Sequence, residues 1–112
     1  MDVSGAIQID DIKVFDDWLA ANGETARDVV VSIYKKSSGK QTVTLNDLQE
    51  VALCRGWVDN LGQRVDEERW ALRFTPRKPT SNWSATNREM AKRLLAEGRV
   101  LETGRRLLPP DL

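Results

Sequence analysis

The stretch R-W-A-L-R-F-T, residues 69–75, shows the clearest alternation of apolar and polar side chains in this chain. Successive side chains of a strand point to opposite sides of a sheet, so Trp70, Leu72 and Phe74 share one face. Arg73 falls on the other face. We therefore predict a strand that buries its apolar face and directs Arg73 away from the core.

Other extended segments lie on both sides of this strand in the sequence. Residues 28–35, D-V-V-V-S-I-Y-K, are rich in β-branched residues and too short for a stable independent helix, which indicates a strand whose three valines are buried on both faces. Between residues 57 and 66 the sequence predicts two short extended pieces, separated by N-L-G and followed by a turn at D-E-E.

Helical signals precede these strands. Apolar residues recur at helical spacing after Asp10 or Asp11, either of which can cap a first helix that stops at Gly23. T-L-N-D, residues 44–47, matches a capping box and predicts a second helix from Leu45 to about Arg55, ending at Gly56.

Two more helices are predicted after the strands. Ser84 is a suitable N-cap for a helix that ends at Gly98, and a shorter helix is expected from Glu102 to Leu108. Helices at both ends with strands between them predict an α+β fold, with a small, mainly antiparallel sheet packed with about four helices. A chain of 112 residues suits a single domain, residues 1–112.

Composition excludes several classes of function. The chain has no histidine, so no Ser-His-Asp or Cys-His arrangement is possible, and its single cysteine, Cys54, is predicted to be a small apolar residue near a buried face. Seventeen cations balance seventeen anions, and residues 1–28 are acidic, which argues against nucleic-acid binding. No apolar run is long enough for membrane insertion, and the N-terminus lacks a signal-peptide pattern, so a cytoplasmic protein is expected.

The stretch R-F-T-P-R-K-P-T-S-N-W-S-A-T-N-R-E, residues 73–89, differs from this neutral background. It contains four cations and one anion, for a net charge of +3, and it precedes a helix N-terminus that itself favours anions. Arg73, Arg77 and Lys78 can add charge-assisted hydrogen bonds, and Trp83 can offer a flat surface for stacking. The alternative is structural: Ser84 only caps the helix, Trp83 only packs over it, and the arginines pair with the acidic residues 66–68.

Two other polar features are candidates for chemistry. The loop K-K-S-S-G-K-Q-T, residues 35–42, lacks the first glycine and the final Ser or Thr of a phosphate loop, so it is either another anion-binding loop or a flexible basic loop. Asp59 shares a face with Trp57 and is either a general base or the partner of Arg73 or Arg77. No motif indicates a cofactor, and the consecutive carboxylates 66–68 diverge in a predicted turn, which disfavours a metal site.

Four segments of the chain, Y-K-K-S-S-G-K, E-V-A-L-C-R-G-W-V-D, R-F-T-P-R-K-P-T-S-N-W-S-A-T-N and L-L-A-E-G-R-V, together resemble the N-terminal domain of the YdeI/OmpD-associated family of bacterial proteins. The resemblance covers about residues 15–104 and implies a bacterial cytoplasmic protein. That family is named for associations with bacteriocin tolerance and an outer-membrane porin. Asn60 stands where the family often has Gly or Ser.

The leading hypothesis is a binding module in which three polar segments meet in one aromatic-walled pocket for a small anionic ligand that bears phosphate or carboxylate. Its predicted ligand-binding residues are Lys35, Lys36, Lys40, Trp57, Asp59, Arg73, Thr75, Arg77, Ser81, Trp83, Ser84 and Asn87. One alternative is a protein-interaction domain linked to stress or bacteriocin tolerance, with a protein partner at Trp83. The other is a small hydrolase or transferase that uses Asp59 as its base.

Overall fold

All 112 residues are described by a computed structural model. In chain order the elements are β1 (Ile7–Gln8), α1 (Ile12–Asn22), β2 (Val29–Tyr34), α2 (Leu45–Cys54), β3 (Trp57–Arg64), β4 (Arg69–Pro76), α3 (Ala85–Ala96) and α4 (Glu102–Arg105). A short 3₁₀ helix, Lys36–Ser38, interrupts the loop after β2. The predicted α+β class with four helices is confirmed.

The four strands form one sheet in the order β1-β2-β4-β3. β4 pairs antiparallel with both β2 and β3, whereas β1 pairs parallel with β2. The sheet is therefore mixed, not mainly antiparallel as predicted. The two residues of β1 are too few to show any alternation, which is why the sequence pattern did not indicate this strand.

β3 is one continuous strand and not the two short pieces that the sequence predicts. Its register with β4 shifts between Asp59 and Leu61, where Asn60 is the extra residue of a β-bulge. A bulge absorbs one residue without ending the ladder, so the turn-like N-L-G does not break the strand. The predicted turn at residues 66–68 is present between β3 and β4.

The helix caps follow the sequence signals closely. The Asp11 side chain accepts from the backbone N–H of Lys13, and Thr44 and Asp47 form the predicted capping box. Ser84 caps α3, and Gly98 just after it has a φ of 71°. Only α4 departs, because it ends at Arg105 and is shorter than predicted.

One face of the sheet packs against α1 and α2 to form the main core. Phe15 of α1 lies 5.1 Å, centroid to centroid, from Phe74 of β4, as the alternation in residues 69–75 predicts for Phe74. Val30 is only half-buried on the opposite face, so the three valines are not buried on both faces as predicted. Arg73 lies on that opposite face, away from the core, as predicted.

A second apolar cluster forms where α2 meets α3 and the C-terminal segment. Its buried residues are Leu53, Cys54, Met90, Ala91, Leu94 and Val100. Burial raises the pKa of the Cys54 thiol, which is only 6% exposed. Cys54 is thus the small buried apolar residue that the sequence predicts, and the thiol form is favoured over the nucleophilic thiolate.

Candidate functional site

The most unusual side chain of the molecule is Arg77, which directly follows β4. Its backbone N–H donates to the carbonyl of Gly56 at 2.8 Å, which anchors it beside the start of β3. Only 7% of the residue is exposed. Its guanidinium carbon lies 3.8 Å from the centroid of the Trp83 ring, so the cation stacks on the indole.

This buried guanidinium has few polar partners. It forms no ion pair, its Nε finds no acceptor, and Nη1 reaches only the Asn82 carbonyl at a long 3.5 Å. Burial lowers the pKa of Arg77, and the negative charge of Asp59 partly opposes this shift. An arginine stays protonated in proteins even so. Arg77 is therefore a buried positive charge that is only partly compensated, an arrangement that attracts an anion.

Arg77 contributes to an open groove of about 480 Å³ at the end of the sheet. The lining residues are Ala26, Arg27, Asn60, Thr75, Pro76, Arg77 and Lys78. Ten of the seventeen lysines and arginines form ion pairs, and three of the other seven line this groove. No carboxylate lines it. We call these seven residues the basic groove.

Two uncharged side chains of the basic groove are linked to each other. The Asn60 amide donates to the Thr75 hydroxyl oxygen at 3.0 Å, which leaves the Thr75 hydroxyl proton free to donate elsewhere. Arg73 lies next to them: it pairs with Asp28 at 3.0 Å and donates weakly to the Asn60 side-chain oxygen at 3.4 Å. Arg73 is thus neutralised by a carboxylate, unlike Arg77.

Arg27 and Asn60 were not among the predicted site residues. Arg27 precedes β2 with no motif around it, and Asn60 reaches the groove from the bulge of β3, which the sequence did not indicate. Neither carries a local signal that could have identified it. Lys78, in contrast, belongs to the basic stretch in which the sequence predicts charge-assisted hydrogen bonds.

The lysine-rich loop does not join this groove. Lys40 pairs with Glu68 at 2.7 Å, and the backbone N–H of Lys35 donates to the Glu68 carbonyl, beside the β3–β4 turn. Arg77, in contrast, follows the other end of β4, and eight residues of strand at about 3.3 Å each span roughly 25 Å. The prediction that one pocket unites this loop with Arg77 is therefore wrong, and Lys36 lies exposed in the same distant loop.

Trp57 is a core residue and does not line the basic groove. It is 2% exposed, its indole N–H donates to the Gly23 carbonyl at 3.2 Å, and its ring meets Trp18 edge-on at 5.9 Å. Asp59 is half-buried on the same face and accepts from the Gln49 side chain at 3.3 Å. The predicted ion pair of Asp59 with Arg73 or Arg77 is absent, because α2 supplies an amide partner instead.

Other residues of the basic stretch pack beside Arg77 or complete the local backbone structure. Trp83 packs against the second apolar cluster while Arg77 stacks on its ring. The Ser81 hydroxyl accepts from the backbone N–H of Lys78 at 2.8 Å and closes a turn. The Ser84 hydroxyl accepts from the backbone N–H of Asn87 at 3.1 Å. The Ser84 contact is that of a helix cap, as the structural alternative predicts, and the Ser81 contact is that of a turn.

The molecule combines an α+β fold with a basic groove at one end of its sheet. No set of three or more Cys, Asp or Glu side chains is grouped to hold a metal ion, and no helix is long and apolar enough to cross a membrane. The sequence profile of a family described as a domain of unknown function (DUF8412) matches residues 7–107. The chain belongs to this family. No curated protein and no solved structure matches it.

Proposed function

We propose that this protein is a binding domain that takes a small anionic ligand in the basic groove. The observation that supports this most directly is Arg77: a cation with 7% exposure, no carboxylate partner and an Nε–H without an acceptor. An unpaired buried donor costs about 1–3 kcal/mol, and a ligand oxygen that reaches it would recover that free energy.

The setting of Arg77 favours ligand binding over a flexible surface contact. Stacking on Trp83 and the backbone bond to Gly56 hold the residue in place. A side chain that is already ordered loses less conformational entropy when it binds, and a guanidinium presents two parallel donors to a phosphate or carboxylate.

Arg27 and Lys78 extend the positive charge along the groove. Both are exposed and neither forms an ion pair, so no protein carboxylate has to be displaced before an anion binds. The free Thr75 hydroxyl proton adds a neutral donor. The groove therefore offers an anion several donors, and its lining contains no carboxylate.

The two alternative functions gain no support from these contacts. Asp59, the base of the hydrolase alternative, does not line the groove and is held by Gln49. Trp83, the anchor of the interaction-domain alternative, is half-buried and has its ring covered by Arg77. Membership of the YdeI/OmpD-associated family, a bacterial origin and a cytoplasmic location stay predictions.

The test is titration calorimetry and thermal shift with inorganic phosphate, sulfate and small dicarboxylates. We expect binding that weakens about 10-fold or more in Lys78→Ala and in Arg77→Met, since a hydrogen bond to a charged group contributes about 1.5–3 kcal/mol. Arg77→Met keeps the volume of the side chain, and its folding is checked first by circular dichroism.

Lys36→Ala is the matched control, because it also removes an exposed, unpaired lysine but at the other end of the sheet. It should bind the anion like the parent protein. Equal weakening in Lys36→Ala and Lys78→Ala would mean that binding is a general charge effect and would refute the basic groove as the site.

A further inference from the structure

We infer that the ligand class of the basic groove is the phosphate monoester of a small polyhydroxylated molecule, such as a sugar or polyol phosphate, bound without recognition of a nucleobase, and not a dicarboxylate. This inference rests on the proposed function. It follows from which kinds of side chain the groove offers and which it lacks.

The groove has no aromatic face for a base. Trp83 lies under Arg77, Trp57 is buried in the main core, and the apolar part of the lining consists of Ala26 and Pro76. Proteins that hold nucleotides or single strands through their bases use exposed aromatic rings as stacking surfaces. The base of a nucleotide would therefore gain little here beyond what its phosphate and ribose gain.

The charged part of the groove suits a terminal phosphate. Arg27, Arg77 and Lys78 carry three positive charges that no lining carboxylate offsets. A terminal phosphate bears close to two negative charges and three acceptor oxygens on one atom, whereas a dicarboxylate spreads its charges over two separate groups. Three cations grouped in one groove match the compact group better.

Asn60 adds an acceptor for a ligand hydroxyl that lies beside the phosphate. Its amide oxygen is a side-chain acceptor in the lining, and its contact with Arg73 is long, at 3.4 Å. A ligand hydroxyl can donate to this oxygen and accept from the Thr75 hydroxyl, whose proton is free. Adjacent donor and acceptor groups of this kind recognise hydroxyl groups. The β-bulge directs Asn60 to this position.

The experiment compares the affinities of glycerol 3-phosphate, a hexose 6-phosphate, inorganic phosphate, adenosine 5′-monophosphate and succinate by calorimetry. We expect the two hydroxylated phosphates to bind about tenfold more tightly than inorganic phosphate and succinate, and at least as tightly as adenosine monophosphate, whose base finds no stacking surface. Asn60→Ala should remove this preference by weakening the hydroxylated phosphates more than it weakens inorganic phosphate. Gln63→Ala, which removes an exposed amide of the same strand outside the groove, should preserve the preference.

The outcomes separate the two proposals. If none of the five anions binds, both are overturned. If phosphate binds and depends on Lys78, but inorganic phosphate or succinate binds as tightly as the two hydroxylated phosphates, or adenosine monophosphate binds more tightly, only the ligand class is wrong. The ligand class is also wrong if Asn60→Ala weakens inorganic phosphate and hydroxylated phosphates by the same factor.

Discussion

At the scale of single residues, the molecule is most constrained where backbone segments touch. Gly56 has a φ of 80°, and a Cβ built on it would lie 2.6 Å from the Thr103 carbonyl oxygen and 2.9 Å from a methyl carbon of Leu107. Gly98 has a similar φ of 71°, but a Cβ there would meet nothing within 4 Å. A comparison of substitutions at Gly56 and Gly98 therefore separates the cost of backbone strain from the cost of steric overlap.

We predict that Gly56→Ala destabilises the fold far more than Gly98→Ala. Gly98→Ala carries only the strain of a left-handed residue, about 1–2 kcal/mol. Gly56→Ala adds an overlap with backbone that cannot move aside, a further 1–3 kcal/mol or so. Urea denaturation measures both free energies of unfolding, and equal losses would contradict the close approach of α4 to the start of β3.

At the scale of elements, the basic stretch divides its polar residues between two tasks. Thr75, Arg77 and Lys78 line the groove, whereas Ser81 and Ser84 satisfy backbone N–H groups of the turn and of α3. The sequence alone could not separate these tasks, because a serine at such a position can either cap a helix or bind a ligand. The hydrogen bonds distinguish them.

Ser84→Ala should therefore lower the free energy of unfolding without changing the affinity for the anion. Loss of the cap removes the acceptor for the Asn87 N–H and costs about 1 kcal/mol. Thr86→Ala, an exposed change in the first turn of the same helix, is the control and should stay within about 0.5 kcal/mol of the parent. Phosphate affinity that falls in Ser84→Ala would return Ser84 to the binding site.

At the scale of the whole molecule, α2 holds the two apolar clusters together. Leu48 and Ala52 belong to the main core, whereas Leu53 and Cys54 belong to the second cluster. Glu50 of the same helix accepts from Arg93 at 3.1 Å and from Arg99 at 2.9 Å, and its side chain is only 12% exposed. This carboxylate therefore links α2 to α3 and to the chain after it.

We predict that Glu50→Gln lowers the free energy of unfolding by about 1 kcal/mol, and by less at high salt, because both arginines lose one of the two carboxylates they share, the other being Glu97. Glu89→Gln is the comparison, since Glu89 forms a single exposed pair with Lys92 at 3.5 Å. Exposed pairs contribute little, so this variant should unfold like the parent. Chemical denaturation of each variant and of the parent protein at two salt concentrations gives the four differences in the free energy of unfolding.

Local patterns in the sequence determined the four helices with their caps and the extended segments of β2, β3 and β4, but not β1. Alternation in residues 69–75, the capping box at Thr44 and the cap at Ser84 depend on neighbours a few positions apart, so the sequence alone predicts them. Tertiary structure decided the parallel pairing of β1, the distance between the lysine loop and the groove, and the burial of Arg77. Those features depend on contacts between residues that are far apart in the sequence, such as that of Arg77 with Gly56, and no local pattern indicates which distant residues are buried together.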